Sequence, residues 1–367
     1  MHQQSTSAER TELQCSPSTL AEAADLLYVS DSEPGFHRRR CGRGFTYMDE
    51  IGKTVRDPQL RERFAALAVP PAWREVWICA NPNGHLLVTG RDDAGRKQYI
   101  YHPRWVAMRD QVKYERLRLF GEALPGLRRQ LQADLRKRSL TQEKVTALVI
   151  NLLEETLIRI GNEEYARHNE TYGLTTLHDE HVEFEDKTVI FEFRGKSGKE
   201  HEIAVEDRRL ARLVRACQEL PGQHLFQYID ETGEICGLTS TQVNDYLRTV
   251  TGCDFTAKDF RTWGGTVTAA RLLHAIGPGA TQRECEHNIV QVVKQVAEEL
   301  GNTPAVCRQH YIHPRLLTTY LVGHLPEVYM AVVQSQKNEP DLPLDEAVVY
   351  AILSMSEKVA MPKADEK

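Results

Sequence analysis

The hydrophobic period of this chain changes from strand-like to helical at about Pro103, and that change limits what the chain can fold into. Upstream, "VWICA", "NPNGH" and "LLVTGRDDAGRKQYIYH" set strand-like runs around Asn-Gly and Ala-Gly turns, the pattern of hairpins. Downstream, "WVAMRDQVKYERLRLFGEALPGLRRQLQADL" places apolar residues every three or four positions with basic residues between them. At 367 residues the chain is long enough for each pattern to have its own core. The expected class is therefore α+β, with a small β-rich N-terminal domain over 34–102 and a larger, mainly helical domain over 103–336. Pro70 and Pro71 forbid a continuous helix where they fall.

Inside the helical part, "HVEFEDKTVIFEFRGKSGKEHEIAV" alternates and carries a Gly-Lys-Ser-Gly turn, which predicts an inserted β-hairpin. Residues 1–33, rich in Ser, Gln and Glu, read as a mobile acidic tail with a short helix over 19–27. Residues 337–367 read as one apolar helix and a charged end.

A net charge of −6 argues at first against a nucleic-acid partner, but its distribution matters more than its sum. Residues 1–33 carry six acids against one base and 337–367 carry seven against four, leaving the body between them at +2. Within that body, 102–139 holds ten Lys and Arg against four Asp and Glu. The eight cysteines stand singly with no C-x-x-C pair, which disfavours a zinc ribbon or a disulfide framework and fits a reducing cytosol. No apolar run approaches the roughly 18–20 residues of a membrane span. The N-terminal stretch lacks the basic-then-apolar order of a signal peptide, so a cytoplasmic protein with no membrane partner is expected.

Four short segments carry residues suited to chemistry. In "LIRIGNEEYARHNETYGLTTL", Arg159 follows a strongly apolar stretch, where a charge needs either a partner such as Glu163 or a ligand. Lys196 sits at the tip of the "FRGKSGKE" turn, a place where most lysines are simply solvated. In "KDFRTWGGT", Lys258 and Arg261 share one helical turn with small residues behind them, as a fixed guanidinium or a buried structural arginine would require. In "GNTPAVCRQHYIHP", Tyr311 comes nine residues after Asn302 and is one of thirteen tyrosines, most of which must be structural.

Taken in order, these segments resemble one family. Arg159, then Lys196 in a β-turn, then the K-x-x-R pair, then G-N-T-P and a tyrosine resemble the small type IB DNA topoisomerases of the poxvirus and bacterial kind. The resemblance runs from about 43 to 325 and includes "TGRDDAGRKQYIYH" and "RHNETYGLTTL". It implies a fold similar to that of tyrosine recombinases in the helical domain, with the β-rich domain completing a monomeric clamp around double-stranded DNA in the nucleoid. It also implies that Tyr311 attacks a phosphodiester to form a 3′-phosphotyrosyl link, after which the strand rotates and rejoins.

Within that scheme Arg159 and Arg261 suit the nonbridging oxygens, being planar, permanently charged and bidentate. Lys196 resembles the general acid that protonates the 5′ leaving group. Neither metal, ATP nor other cofactor is expected, and the lone H-x-x-H of His310 and His313 is a weak zinc signal. Asn302 stands where the poxvirus pattern has a histidine, so it can donate a neutral hydrogen bond but not shuttle a proton. Lys97, Tyr99, Tyr101, Tyr165 and Lys258 fall at positions where the family contacts DNA. A tyrosine recombinase would show H-x-x-R in place of Lys258-Asp-Phe-Arg261 and a helical N-terminal domain. A noncatalytic DNA-binding relative is the other alternative, kept open by Asn302.

Overall fold

The computed structural model describes residues 17–42, 44–335 and 341–355. The chain divides into two compact units, Met1–Tyr114 and Glu115–Lys367. In the first, α1 (Pro17–Ala23) precedes β1 (Gly35–Cys41) and β2 (Gly44–Met48). Next come α2 (Pro58–Ala66), β3 (Arg74–Cys79), β4 (Leu86–Arg91) and β5 (Lys97–Tyr101). The five strands form one antiparallel sheet in the order β2-β1-β3-β4-β5. Phe64 of α2 packs with Val76, Ile78, Leu87 and Val88 to make its core. The helix α3 (Pro103–Asp134) begins in this unit and ends in the second.

The second unit continues with α4 (Gln142–Thr156) and α5 (Glu163–Asn169). Its three-stranded sheet, β6 (Val182–Glu185), β7 (Thr188–Arg194) and β8 (Glu200–Glu206), precedes α6 (Arg208–Gln218). A two-stranded ribbon, β9 (Gln227–Ile229) and β10 (Ile235–Gly237), leads to α7 (Ser240–Thr251) and α8 (Ala257–Ile276). The chain then runs through α9 (Gln282–Glu299), α10 (Pro304–His310), α11 (Pro314–Leu321), α12 (Leu325–Ser335) and α13 (Leu344–Ser354). The central helix is α4, buried at nearly every position from Lys144 to Leu153 because it is apolar all round. Arg128 of α3 ties it outward, bonding both Glu154 of α4 and Glu346 of α13. Among the described residues no single helix is long and apolar enough to cross a membrane.

Four expectations change. The inserted hairpin is a three-stranded meander, because the residues "EDKT" make a second turn with Asp186 at φ 52 and free 182–185 to pair as β6. The β-rich stretch contains the helix α2, started by the Asp57 carboxylate capping Gln59 N at 2.8 Å and by Pro58 in its first turn. Of the supposed tail, 1–16 lie outside the described residues, while Ala21, Ala24 and Leu26 are buried in a cluster with Trp105. The short helix there is Pro17–Ala23, and Leu27 bridges to Gly84. The C-terminal helix also belongs to the body of its unit, with Val348, Val349 and Ile352 fully buried.

Candidate active site

Arg159, Lys196, Arg261, Asn302 and Tyr311 all lie in the second unit. The helix α4 ends at Leu157, whose left-handed conformation (φ 54) turns the chain out of the helix two residues before Arg159. Arg159 Nη2 donates to Asn302 Oδ1 at 2.6 Å and to the Gly301 carbonyl at 3.3 Å. Arg261, one turn into α8, is 4% exposed, and among the described residues its guanidinium is held without a carboxylate. Its Nη1 donates to the carbonyl of Leu157, and its Nη2 to that of Leu300 at 2.8 Å. Those residues are the C-caps of α4 and α9, so two helix C-termini offer Arg261 their unfilled carbonyls and the negative ends of their dipoles.

Tyr311 caps α10, its backbone N–H donating to Cys307 O at 2.9 Å. Its backbone is pinned from α8. Thr266 Oγ1, whose one proton goes to Thr262 O at 2.8 Å, lies 3.3 Å from Tyr311 O and accepts from His313 N at 3.1 Å. A Cβ added to Gly265 would sit 2.8 Å from that same Tyr311 carbonyl, so only glycine permits the approach. The Arg261 guanidinium then lies 5.2 Å from the centroid of the Tyr311 ring.

Among the described residues no carboxylate pairs with either guanidinium. Burial pushes Arg261 down to about 10, the neighbouring Arg159 pushes the same way, and Tyr311 opposes both. Arg159 is lowered too, by burial, with Tyr311 again opposing. Both remain charged at neutral pH. Because a guanidinium has only donors, Asn302 must turn Oδ1 toward Arg159. Among the described residues its Nδ2 is then a buried donor without a partner, as is Arg261 Nε. Buried donors are seldom left unpaired, and these two suit an anion with several acceptor oxygens.

Lys196 stands apart from this cluster. It is exposed and opens the short turn Lys196–Gly198 between β7 and β8. The turn reaches the cluster through its neighbours: Lys199 Nζ lies 3.4 Å from Asn302 O, and Gly195 rests on the ring of His201. His201 went unnoticed in the sequence, where it is one more residue of an alternating strand. Burial lowers its pKa first, followed by Arg159, Arg261 and Lys199, with Glu200 opposing, so the ring is neutral at physiological pH.

The remaining candidates divide between the units. Lys97, Tyr99 and Tyr101 share one face of β5. The two tyrosine rings stack at 5.9 Å, and Lys97 Nζ lies 5.7 Å from the Tyr99 ring. Lys97 also pairs with Asp31 at 2.5 Å. In the second unit, Lys258 is exposed in the first turn of α8, and Tyr165 lies on α5 with its side chain outside the described residues.

Two guanidiniums oriented by carbonyls and an amide near a tyrosine can meet the oxygens of a phosphodiester. Residues 97–320 match the family model for the eukaryotic DNA topoisomerase I catalytic core, and 44–92 match that for the bacterial DNA topoisomerase IB N-terminal domain. The chain is 30% identical over 298 residues to DNA topoisomerase 1B of Acanthamoeba polyphaga mimivirus, covering 78% of this chain and 87% of the relative. It is 27% identical over 244 residues to DNA topoisomerase 1B of vaccinia virus (strain Copenhagen), covering 63% and 71%. Against DNA topoisomerase 1 of Schizosaccharomyces pombe the identity is 28% over 166 residues, 45% of this chain and 19% of the relative. The chain belongs to the type IB DNA topoisomerase family.

Proposed function

We propose that the chain relaxes supercoiled DNA by the type IB route, with Tyr311 as nucleophile. The Tyr311 oxygen forms a bond to the scissile phosphorus and loses its proton to water. The P–O5′ bond breaks, and Lys196 protonates the departing 5′ oxygen. The 3′-phosphotyrosyl link conserves the energy of the broken bond, so the strand can rotate and rejoin without ATP. Arg159 and Arg261 meet the nonbridging oxygens, where charge builds in the pentacoordinate transition state, and Asn302 Nδ2 adds a neutral donor. The single observation that carries this reading is the buried Arg261 guanidinium beside the Tyr311 ring, with the half-buried Arg159 fixed on Asn302, both held by carbonyls and an amide and, among the described residues, by no carboxylate.

The helical unit is read as a tyrosine recombinase-like catalytic fold and the β-rich unit as a DNA-binding domain, together a monomeric clamp on double-stranded DNA in the cytoplasm. Lys97, Tyr99, Tyr101, Tyr165 and Lys258 are its DNA contacts. The test is relaxation of a negatively supercoiled plasmid with EDTA present and ATP absent. Wild type relaxes the plasmid and Tyr311→Phe does not. A wild type that leaves the plasmid supercoiled at low and moderate salt removes the proposal, and an active Tyr311→Phe removes the assignment of the nucleophile.

A further inference from the structure

His201 faces Phe193 across the β7–β8 pairing, and the two rings stack at 5.1 Å with 19° between their planes. This is the last stacked pair before the turn that carries Lys196. The turn is closed tightly, Gly195 N donating to Lys199 O at 2.7 Å and Gly198 N to Gly195 O at 3.1 Å. It lies directly on the imidazole: a Cβ at Gly195 would come within 2.5 Å of His201 Cδ2 and 2.6 Å of Nε2. A second backbone segment uses the same ring. A Cβ at Gly301 would meet His201 Cε1 at 2.6 Å and would also lie 3.7 Å from Arg159 Nη1. Gly195 precedes Lys196 and Gly301 precedes Asn302, so one imidazole touches the backbone beside both.

We infer that His201 is a positioning residue for Lys196, a flat spacer that sets the lysine turn at a fixed height against the turn of Asn302. The inference rests on the reading of Lys196 as the general acid. Glycine at 195 and 301 lets both backbones approach the ring face, and Phe193 fixes the ring from the sheet. The contact is one of shape, since the His201 ring makes no hydrogen bond among the described residues. A neutral, planar side chain suits the place, because a further cation there would oppose Arg159, Arg261 and Lys199. An exposed turn with no such floor would leave Lys196 to sample many positions, and proton transfer falls steeply with misplacement.

The test compares single-turnover cleavage of two DNA substrates, one ordinary and one with sulfur replacing the bridging 5′ oxygen at the scissile phosphate. A thiolate leaves without a proton, its conjugate acid having a pKa of about 8.5, so a defect in placing the proton donor disappears on the sulfur substrate. His201→Ala is expected to be ~10- to 100-fold slow on the oxygen substrate, the span of a misplaced general acid, and close to wild type on the sulfur one. Lys196→Ala gives the same pattern, while Arg261→Ala is slow on both. His201→Phe keeps the flat face and restores most of the rate, which separates positioning from a folding defect. Equal slowing of His201→Ala on both substrates, or no slowing on the ordinary one, overturns the inference with Lys196 intact. If Lys196→Ala is itself equally slow on both, the general-acid reading fails and this inference fails with it.

Discussion

Arg261 shows how a single residue is prepared for work. Its hydrogen bonds run to the carbonyls of Leu157 and Leu300, which orient the guanidinium without neutralising it. A lysine in that place keeps the charge but loses the planar fork and cannot bridge two helix ends while facing a phosphate. Arg261→Lys is therefore expected to slow single-turnover cleavage by about 10²- to 10³-fold, the range for losing one fixed transition-state donor. DNA affinity should change only a few-fold, because the contact matters most when charge develops. A loss of affinity as large as the loss of rate would show that Arg261 binds DNA in the ground state instead. At this scale much of the cluster was legible: Arg159, Arg261, Asn302 and Tyr311, singled out by residue type and order along the chain, do come together, whereas Lys196 stands apart. His201 was not legible. Its meaning depends on two glycines about a hundred positions apart in sequence, Gly195 and Gly301, and nothing within "GKEHEI" points to either.

At the scale of elements, α8 is the member that assembles the pocket. It carries Arg261 on one turn and the pair Gly264 and Gly265 on the next, and it packs against α4, α9 and α13. The two glycines serve different neighbours. A Cβ at Gly264 would meet the side-chain tip of Leu157 at 2.6 Å, whereas one at Gly265 would meet the Tyr311 carbonyl at 2.8 Å. A leucine tip can change rotamer; a carbonyl followed by the buried Ile312 and by His313, whose N–H is held on Thr266, cannot move alone. Alanine is favoured by up to about 1 kcal/mol over glycine in a helix interior, while overpacking costs about 1–3 kcal/mol. Gly264→Ala should therefore be close to neutral in denaturant unfolding, and Gly265→Ala should destabilise and slow cleavage by displacing Tyr311. The reverse order of the two would remove the argument that α8 sets the position of Tyr311. The "RTWGGT" run already suggested close packing, but the sequence could not say against what. The meander of β6, β7 and β8 was half legible for a similar reason. The Gly-Lys-Ser-Gly turn announces itself, whereas the turn at Asp186 needs a left-handed non-glycine residue that no motif signals.

For the molecule as a whole, the question is how a chain of net charge −6 holds a polyanion. Part of the acid lies in 1–33, and Asp31 shows that this stretch does not merely trail away from the basic surface. Its carboxylate accepts from Thr89 at 2.9 Å and pairs with Lys97 at 2.5 Å, on the face of the sheet that carries Tyr99 and Tyr101. The bond to Lys97 holds the Asp31 carboxyl below its usual range, with burial opposing. The two side chains are 26% and 42% exposed, so the pair is hydrated and worth about 1 kcal/mol or less. A DNA phosphate can displace such a carboxylate, but only in competition with it. Asp31→Asn removes the competitor and leaves Lys97 free to meet a phosphate. Each further phosphate that the protein neutralises steepens the fall of log K with log salt by about 0.9. The expected result is tighter binding of a short duplex at low salt and a slope steeper by about that amount, measured by titration across a salt series. Lys97→Ala should make the slope shallower to a similar degree, and adding Asp31→Asn to it should change nothing further. If Asp31→Asn alone leaves both affinity and slope where they were, Lys97 does not bind DNA through its ammonium, and β5 must meet the duplex through its tyrosines alone.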